Sequence, residues 1–305
     1  MPFSITILGS SGALPALGRF PSSQYLNIGK HHFLVDAGEG VQIQLTRFGI
    51  NPNRIEAIFI SHLHGDHYLG LMGLLFTMHL NKRQADLHLY AFRGLSEIIL
   101  LQLKYSKSVL VYKIIFHELK ENVAETIFSS NSLTVETIPL NHKIPCNGFL
   151  FREKPKPRRI NKEKLLPTML IQHIVLLKQG FDVYHESGEL LYRNEEFTLP
   201  PRPSRSYAYC SDTAFHELLC GQIQEVDILY HEATFTTDDQ DKAIETKHST
   251  AKEAATIALQ ARVKKLLIGH FSARYHSPEV LLDEARQTFP ETYLAIEGET
   301  FNIEE

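Results

Sequence analysis

The sequence predicts an α/β layered domain, and three observations carry that expectation. Short apolar or alternating runs recur along the chain, helix-period segments lie between them, and metal-competent side chains stand just past the ends of several runs. The runs at 5–8, 33–35, 58–60, 133–140, 207–210, 228–230, 266–268 and 293–296 read as strands. Of the helical segments the clearest is 251–261, where Ala254, Ile257, Ala258 and Ala261 make one apolar face and Thr250 with Glu253 spells a capping box. The apolar stretch 68–80 carries Gly70, Gly73, Thr77 and His79 and is shorter than the roughly 20 residues that span a bilayer, so a buried helix is expected there and no membrane segment.

Composition fits a folded soluble chain: 43% of 305 residues are apolar and 22% charged, enough for a sizeable core. The N-terminus shows no basic region followed by an apolar export segment, so the cytoplasm is the expected compartment. Its three cysteines, Cys146, Cys210 and Cys220, form no Cys-x-x-Cys pair and are expected reduced. A formal charge of −4 argues against a protein that coats nucleic acid with its whole surface but leaves room for one basic patch. Such a patch exists. The segment 152–205 breaks the strand–helix alternation, has prolines at 155, 157, 167, 200, 201 and 203, and reads as an insertion. Its first part sets Arg152, Lys154, Lys156, Arg158, Arg159, Lys162 and Lys164 against only Glu153 and Glu163.

The densest chemistry is at 61–67, Ser-His-Leu-His-Gly-Asp-His, directly after the third run. His62, His64, Asp66 and His67 put four metal-competent side chains into six positions, more than one open site takes from one loop. Imidazole and carboxylate without cysteine suit zinc or a similar ion. Two neighbouring ions are the natural expectation, since a pair about 3.5–4 Å apart can activate water and clamp a phosphoryl or carbonyl oxygen. Further ligands are available past other strands: His142, Asp212 and His270, with His231 and Glu232 after the run at 228–230. Ligand sites in layered α/β folds collect beyond the carboxyl ends of strands, so these residues can converge on one edge. Singly, His142 and His270 also read as ordinary surface histidines, and Ser211-Asp212-Thr213 as a helix cap.

These residues carry a resemblance. The stretch 61–67 resembles the His-x-His-x-Asp-His signature of the metallo-β-lactamase superfamily. The segments at 8–26, 36–40 (Asp-Ala-Gly-Glu-Gly), 211–213, 231–235 (His-Glu-Ala-Thr-Phe), 247–255 and 269–275 are similar to the short form of the ribonuclease Z family. The likeness spans nearly the whole chain. It implies a single domain over 1–305 with a four-layer αββα sandwich, from which a flexible basic arm at 152–205 is extruded as a binding site for transfer RNA (tRNA). Relatives often carry a Gly-Pro motif in that arm; here Leu166-Pro167-Thr168 is found instead.

The resemblance also implies roles. His62, His64 and His142 would hold one zinc ion, Asp66, His67 and His270 a second, and Asp212 would bridge them: two zinc ions per subunit and no organic cofactor. Asp66 would accept a proton from the attacking water. His248, paired with Glu232, would protonate the leaving 3′-oxygen. The implied activity is endonucleolytic removal of the 3′ trailer from precursor tRNA by a homodimer, leaving a 3′-hydroxyl on the tRNA and a 5′-phosphate on the trailer. His231 is assigned no role, and Arg19, Arg274 and Tyr275 lie in family-like segments without a firm one. Two other functions compete. One is a small-molecule metallohydrolase of the same fold, such as a cyclic phosphodiesterase or thioesterase; the other is a metal-stabilised RNA-binding protein without catalysis.

Overall fold

The computed structural model describes residues 1–304. Strands β1 to β6 (Phe3–Gly9, Ser23–Ile28, His31–Val35, Ala57–Phe59, Leu87–Ala91 and Ile114–Glu118) form one sheet. Strands β7 to β9 (Thr126–Ser129, Leu133–Leu140 and Cys146–Glu153) begin a second. Two short pairs follow, β10 (Arg159–Ile160) with β13 (Thr198–Leu199) and β11 (Val183–Tyr184) with β12 (Leu190–Tyr192). The chain then returns through β14 (Ser206–Cys210), β15 (Ile228–Glu232), β16 (Lys265–Gly269) and β17 (Thr292–Leu294), and closes on the first sheet with β18 (Thr300–Asn302). The two seven-stranded sheets run β18-β1-β2-β3-β4-β5-β6 and β17-β16-β15-β14-β9-β8-β7.

Three apolar clusters explain the layering. Phe3, Phe33, Phe59, Phe149, Phe151, Tyr207 and Tyr230 fill the space between the sheets. Leu34, Ile58 and Leu89, from alternate positions of the first sheet, instead meet Leu71, Leu74, Leu75 and Met78 of helix Leu71–Leu80. Leu229, Leu266 and Ile268 of the second sheet meet Ala254, Ile257 and Ala258 of helix Ala251–Gln260. Strands that bury both faces need apolar residues at successive positions, and that is why the parallel strands appear in the sequence as continuous runs. The result is the metallo-β-lactamase architecture, two sheets face to face with helices outside.

Local chemistry sets the helix ends. Thr250 Oγ1 accepts from the Glu253 N–H at 3.2 Å while Glu253 Oε2 accepts from the Thr250 N–H at 2.8 Å, so the capping box is closed in both directions. The stretch 68–80 differs from the expected single buried helix. It is interrupted at Gly70, where a Cβ would lie 2.0 Å from the Gly38 carbonyl oxygen, and Leu69 and Leu80 are exposed. Only the face with Leu71, Leu74, Leu75 and Met78 is buried, because the neighbouring sheet covers one side of the helix.

The excursion between β9 and β14 leaves the sheet two residues later than the composition change. Arg152 and Glu153 still pair with Thr134 and Leu133. At its base Arg205, itself buried, donates from Nε at 3.0 Å and NH2 at 2.7 Å to the Glu153 carboxylate and from NH1 at 3.0 Å to the Ile303 carbonyl. Burial favours the neutral Glu153 acid, yet Arg205 and Lys156 outweigh it and hold the pKa at about 2. Beyond this clamp the excursion carries helix Ile171–Gln179, which buries Leu177 and ends on left-handed Gly180. Among the described residues no helix is long and apolar enough to cross a membrane.

Candidate metal centre

The strands deliver their polar residues to one edge of the sandwich. Asp36 follows β3, Ser61 to His67 follow β4, His142 follows β8, Asp212 follows β14, Glu232 ends β15 and His270 follows β16. Two groups result. The ligand atoms of His62, His64, His142 and Asp212 lie within 4.8 Å of one another, as do those of Asp66, His67, Asp212 and His270. Asp212 belongs to both. Its Oδ1 lies 3.3 Å from the Nε2 atoms of His67 and His270, and its Oδ2 lies 3.5 Å from His62 Nε2 and 3.8 Å from His142 Nε2.

Whether a cation belongs here can be tested on the nitrogens. His142 Nδ1 faces the Lys247 carbonyl at 2.9 Å, so its proton sits there and Nε2 offers a lone pair. That lone pair lies 3.1 Å from His64 Nδ1, which lies 3.0 Å from His62 Nε2. Burial lowers the pKa of all three rings, which leaves them neutral with lone pairs crowded together. His67 Nε2 is buried and has no hydrogen-bond partner. A divalent metal ion resolves both problems, and a donor set of imidazole nitrogen and carboxylate oxygen suits one.

Outside the two groups, partners fix each ring. His67 Nδ1 donates to Asp36 Oδ2 at 2.7 Å. Asp36 is fully buried, has φ 56°, and also accepts from the Ser61 N–H (2.7 Å), Ser61 Oγ (2.9 Å) and the Tyr209 hydroxyl (2.6 Å). Four donors on one carboxylate hold it in place, which aims His67 Nε2 inward. His270 Nδ1 donates to Thr234 Oγ1 at 2.8 Å, and that hydroxyl donates onward to Glu232 Oε2 at 2.7 Å. His270 has φ 61°, and a Cβ on Gly12 would lie 2.8 Å from its ring, so the opening loop packs directly on this ligand. Asp66 Oδ2 accepts from the Ala13 N–H at 2.8 Å. Burial would raise the Asp66 pKa, but His67 and His270 reverse that and hold it well below the usual carboxylate range.

His248 stands beside the ligands. Its Nδ1 donates to Glu232 Oε1 at 2.8 Å, and its ring stacks on His270 at 5.2 Å between centroids. Burial alone would lower its pKa; the Glu232 carboxylate outweighs burial and lifts it to about 9. Glu232 is fully buried and is held in turn by the Thr213 and Thr234 N–H groups at 3.1 and 3.0 Å. His231, one residue earlier, is fully buried, and its Nδ1 donates to the Glu232 carbonyl at 2.7 Å. It takes part in neither ligand group. Arg274 lies over the Phe235 ring and is paired with Asp239, which also accepts from Tyr275.

Three residues that position the centre escaped sequence reasoning. Asp36 and Thr234 lie inside the recognisable segments 36–40 and 231–235 but have no ligand spacing of their own. The Lys247 carbonyl has no side-chain signal at all; a left-handed backbone at Lys247, φ 56°, turns it toward His142.

Comparisons with known proteins agree with this architecture. Residues 3–155 match the family model described as Anti-Pycsar protein Apyc1, so the first half of the chain, with the ligands up to His142, shares that pattern. Ribonuclease Z of Cytophaga hutchinsonii is 47% identical over 303 residues, covering 99% of this chain and 97% of the relative. Ribonuclease Z of Bacteroides thetaiotaomicron is 44% identical over 302 residues, covering 99% and 95%. Among solved structures, human tRNase Z, short form, superposes with a TM-score of 0.73 at 27% identity over 99% of this chain and 100% of that one. With identity this high over almost the entire length, the chain belongs to the ribonuclease Z family.

Proposed function

We propose that the chain is a zinc-dependent endoribonuclease that removes the 3′ trailer from precursor tRNA, leaving a 3′-hydroxyl on the tRNA and a 5′-phosphate on the trailer. The observation that carries this reading is the Glu232–His248 pair set against two ligand groups that share Asp212. Phosphodiester cleavage needs an activated water, relief of charge on phosphate and a proton for a poor leaving oxygen. His62, His64 and His142 would hold one zinc ion, Asp66, His67 and His270 a second, and Asp212 would serve both; ions bound there would supply Lewis acidity for the first two needs.

This chain's own residues do the rest. Asp66 accepts a hydrogen bond from the attacking water, orients it and takes up the proton that the water gives up. His248 keeps its proton because Glu232 holds Nδ1–H, and its Nε2–H is free to pass a proton to the departing 3′-oxygen. Thr234 ties this pair to His270, so donor and ligand are set in one frame.

The excursion past the Glu153–Arg205 clamp serves as the tRNA-binding arm, and its basic residues meet phosphates with salt-dependent affinity. The protein works as a homodimer; Ile98, Leu101 and Tyr105, spaced along one face of helix Leu95–Tyr105, are all exposed and offer an apolar stripe for a second copy. Its place of action is the cytoplasm, with its RNA substrate.

The test is cleavage of a 3′-extended precursor tRNA by the zinc-loaded protein beside Asp66→Ala, with both product ends mapped. One cut at the tRNA 3′ end, with the stated end groups and absent in the variant, is expected. An intact precursor together with rapid hydrolysis of small cyclic phosphodiesters would overturn the reading in favour of a small-molecule enzyme.

A second test concerns the arm. The Glu153 N–H donates to the Arg205 carbonyl at 2.9 Å, so a short turn can replace residues 154–204 without opening the sheet. The shortened protein should keep its metal content and lose roughly tenfold or more in precursor affinity, with a shallower salt dependence in binding assays. Unchanged affinity and salt slope would remove the arm from RNA binding.

A further inference from the structure

We propose that a cleft on the flank of the metal centre away from His248 receives the first nucleotide of the trailer, anchored by Arg93. The inference rests on the precursor-tRNA reading and names the subsite that reading leaves open. The cleft measures about 790 Å³, within the size range of pockets that enclose small ligands. Leu63, one of its walls, lies in sequence between His62 and His64, so the cavity opens beside the ligands. Its other walls come from the loops after β5 and β6 and from Pro145, between β8 and β9. In the second sheet Glu232 and His270 hang from β15 and β16, across β14 from that end. The proton donor and the cleft therefore lie toward different ends of this row of strands, with Asp212 and His142, whose ring is 5.2 Å from that of His248, between them.

The chemistry of the cut decides which part of the RNA lies where. The 3′-oxygen leaves toward His248 and stays with the tRNA, so the last tRNA nucleotide occupies that side. The phosphate remains on the trailer through its 5′-oxygen, and the trailer leads away from His248 past Leu63.

What the cleft presents suits one unpaired nucleotide. Leu63, Phe92 and Pro145 give an apolar surface for the face of a base. Lys120 is already paired with Glu125 at 2.6 Å, and Glu118 and Glu121 also line the cavity, so a continuous track of phosphates is disfavoured. Arg93 is exposed at the rim with neither ion pair nor hydrogen bond of its own among the described residues. It is the cation available for the next phosphate, with a planar fork that matches it.

Two precursors that differ only at the first trailer position, one with a normal nucleotide and one abasic, distinguish the possibilities. Wild type should lose about tenfold in kcat/KM on the abasic precursor, in line with the loss of one stacked base. Arg93→Ala should lose about tenfold on the normal precursor and much less than a further tenfold on the abasic one, because base and phosphate are held together. Mature tRNA, lacking a trailer, should inhibit both proteins with equal Ki. Arg93→Ala matching wild type on both precursors, or equal cleavage of the two precursors by wild type, overturns the subsite. Weaker inhibition of Arg93→Ala by mature tRNA overturns it too, by assigning Arg93 to the tRNA body. If wild type cuts neither precursor, the ribonuclease reading itself fails and takes this inference with it.

Discussion

His248→Ala should keep its full metal content and its affinity for precursor tRNA while kcat falls roughly 10²- to 10⁴-fold, the range set by loss of a positioned proton donor. The expectation follows from what the ring touches. His248 gives Nδ1 to Glu232 and belongs to neither of the ligand groups built around Asp212, so its removal takes no donor atom from either. Metal analysis and single-turnover cleavage, measured on the same preparation, decide the matter. Loss of metal in step with loss of rate would make His248 a ligand or a structural residue. The pH profile adds a second reading. The acid form is required, so activity persists from below and declines as pH rises through the His248 pKa. Glu232 raises that pKa to about 9, and bound cations bring positive charge that lowers it from there. Glu232→Gln removes the carboxylate that favours the imidazolium, so the alkaline limb should move to lower pH. An unmoved limb would show that the group titrating there is not His248.

The sequence announces the candidate ligands and conceals what holds them in place. His62, His64, Asp66 and His67 share one loop, so their density alone marks a site. His142, Asp212 and His270 are scattered over more than a hundred positions, yet each stands just past a strand, and the fold brings all seven to one edge. The continuous runs at 228–230 and 266–268 were legible as strands because the parallel half of the second sheet is buried on both faces. Strands β5 and β6 were not, since His88 and His117 break their apolar pattern and β6 is an edge strand with exposed positions. Asp36 carries no metal spacing, and the four donors on its carboxylate come together only in the folded chain. The orientation of the His142 ring depends on a backbone carbonyl, which no residue type encodes. In the same way, the Glu153–Arg205 clamp joins residues 52 apart and is invisible until the excursion closes on itself.

Asp212→Ala should abolish turnover, with a loss of 10⁴-fold or more, and should bind fewer than two metal ions per chain. One carboxylate offers Oδ1 to the side of His67 and His270 and Oδ2 to the side of His62 and His142, so alanine removes a donor from both groups at once. It also removes the negative charge that two bound cations would share and without which they would repel across a short distance. In the metal-free protein alanine should also cost stability. Burial opposes charge on Asp212, but His270, His67 and His62 more than offset that cost and hold its pKa well below the usual carboxylate range, so its loss leaves those buried rings without their anionic partner. Thermal unfolding separates the two effects. Zinc at 100 times its Kd should stabilise the wild type by about 2.7 kcal/mol per independent site, while the variant gains clearly less from the same addition. Asp212→Asn, which keeps the shape but offers one neutral oxygen, should fall with Asp212→Ala. Two bound ions and near-normal turnover in either variant would mean that the metals are held without a shared carboxylate, and the proposed scheme would lose the link between its two halves.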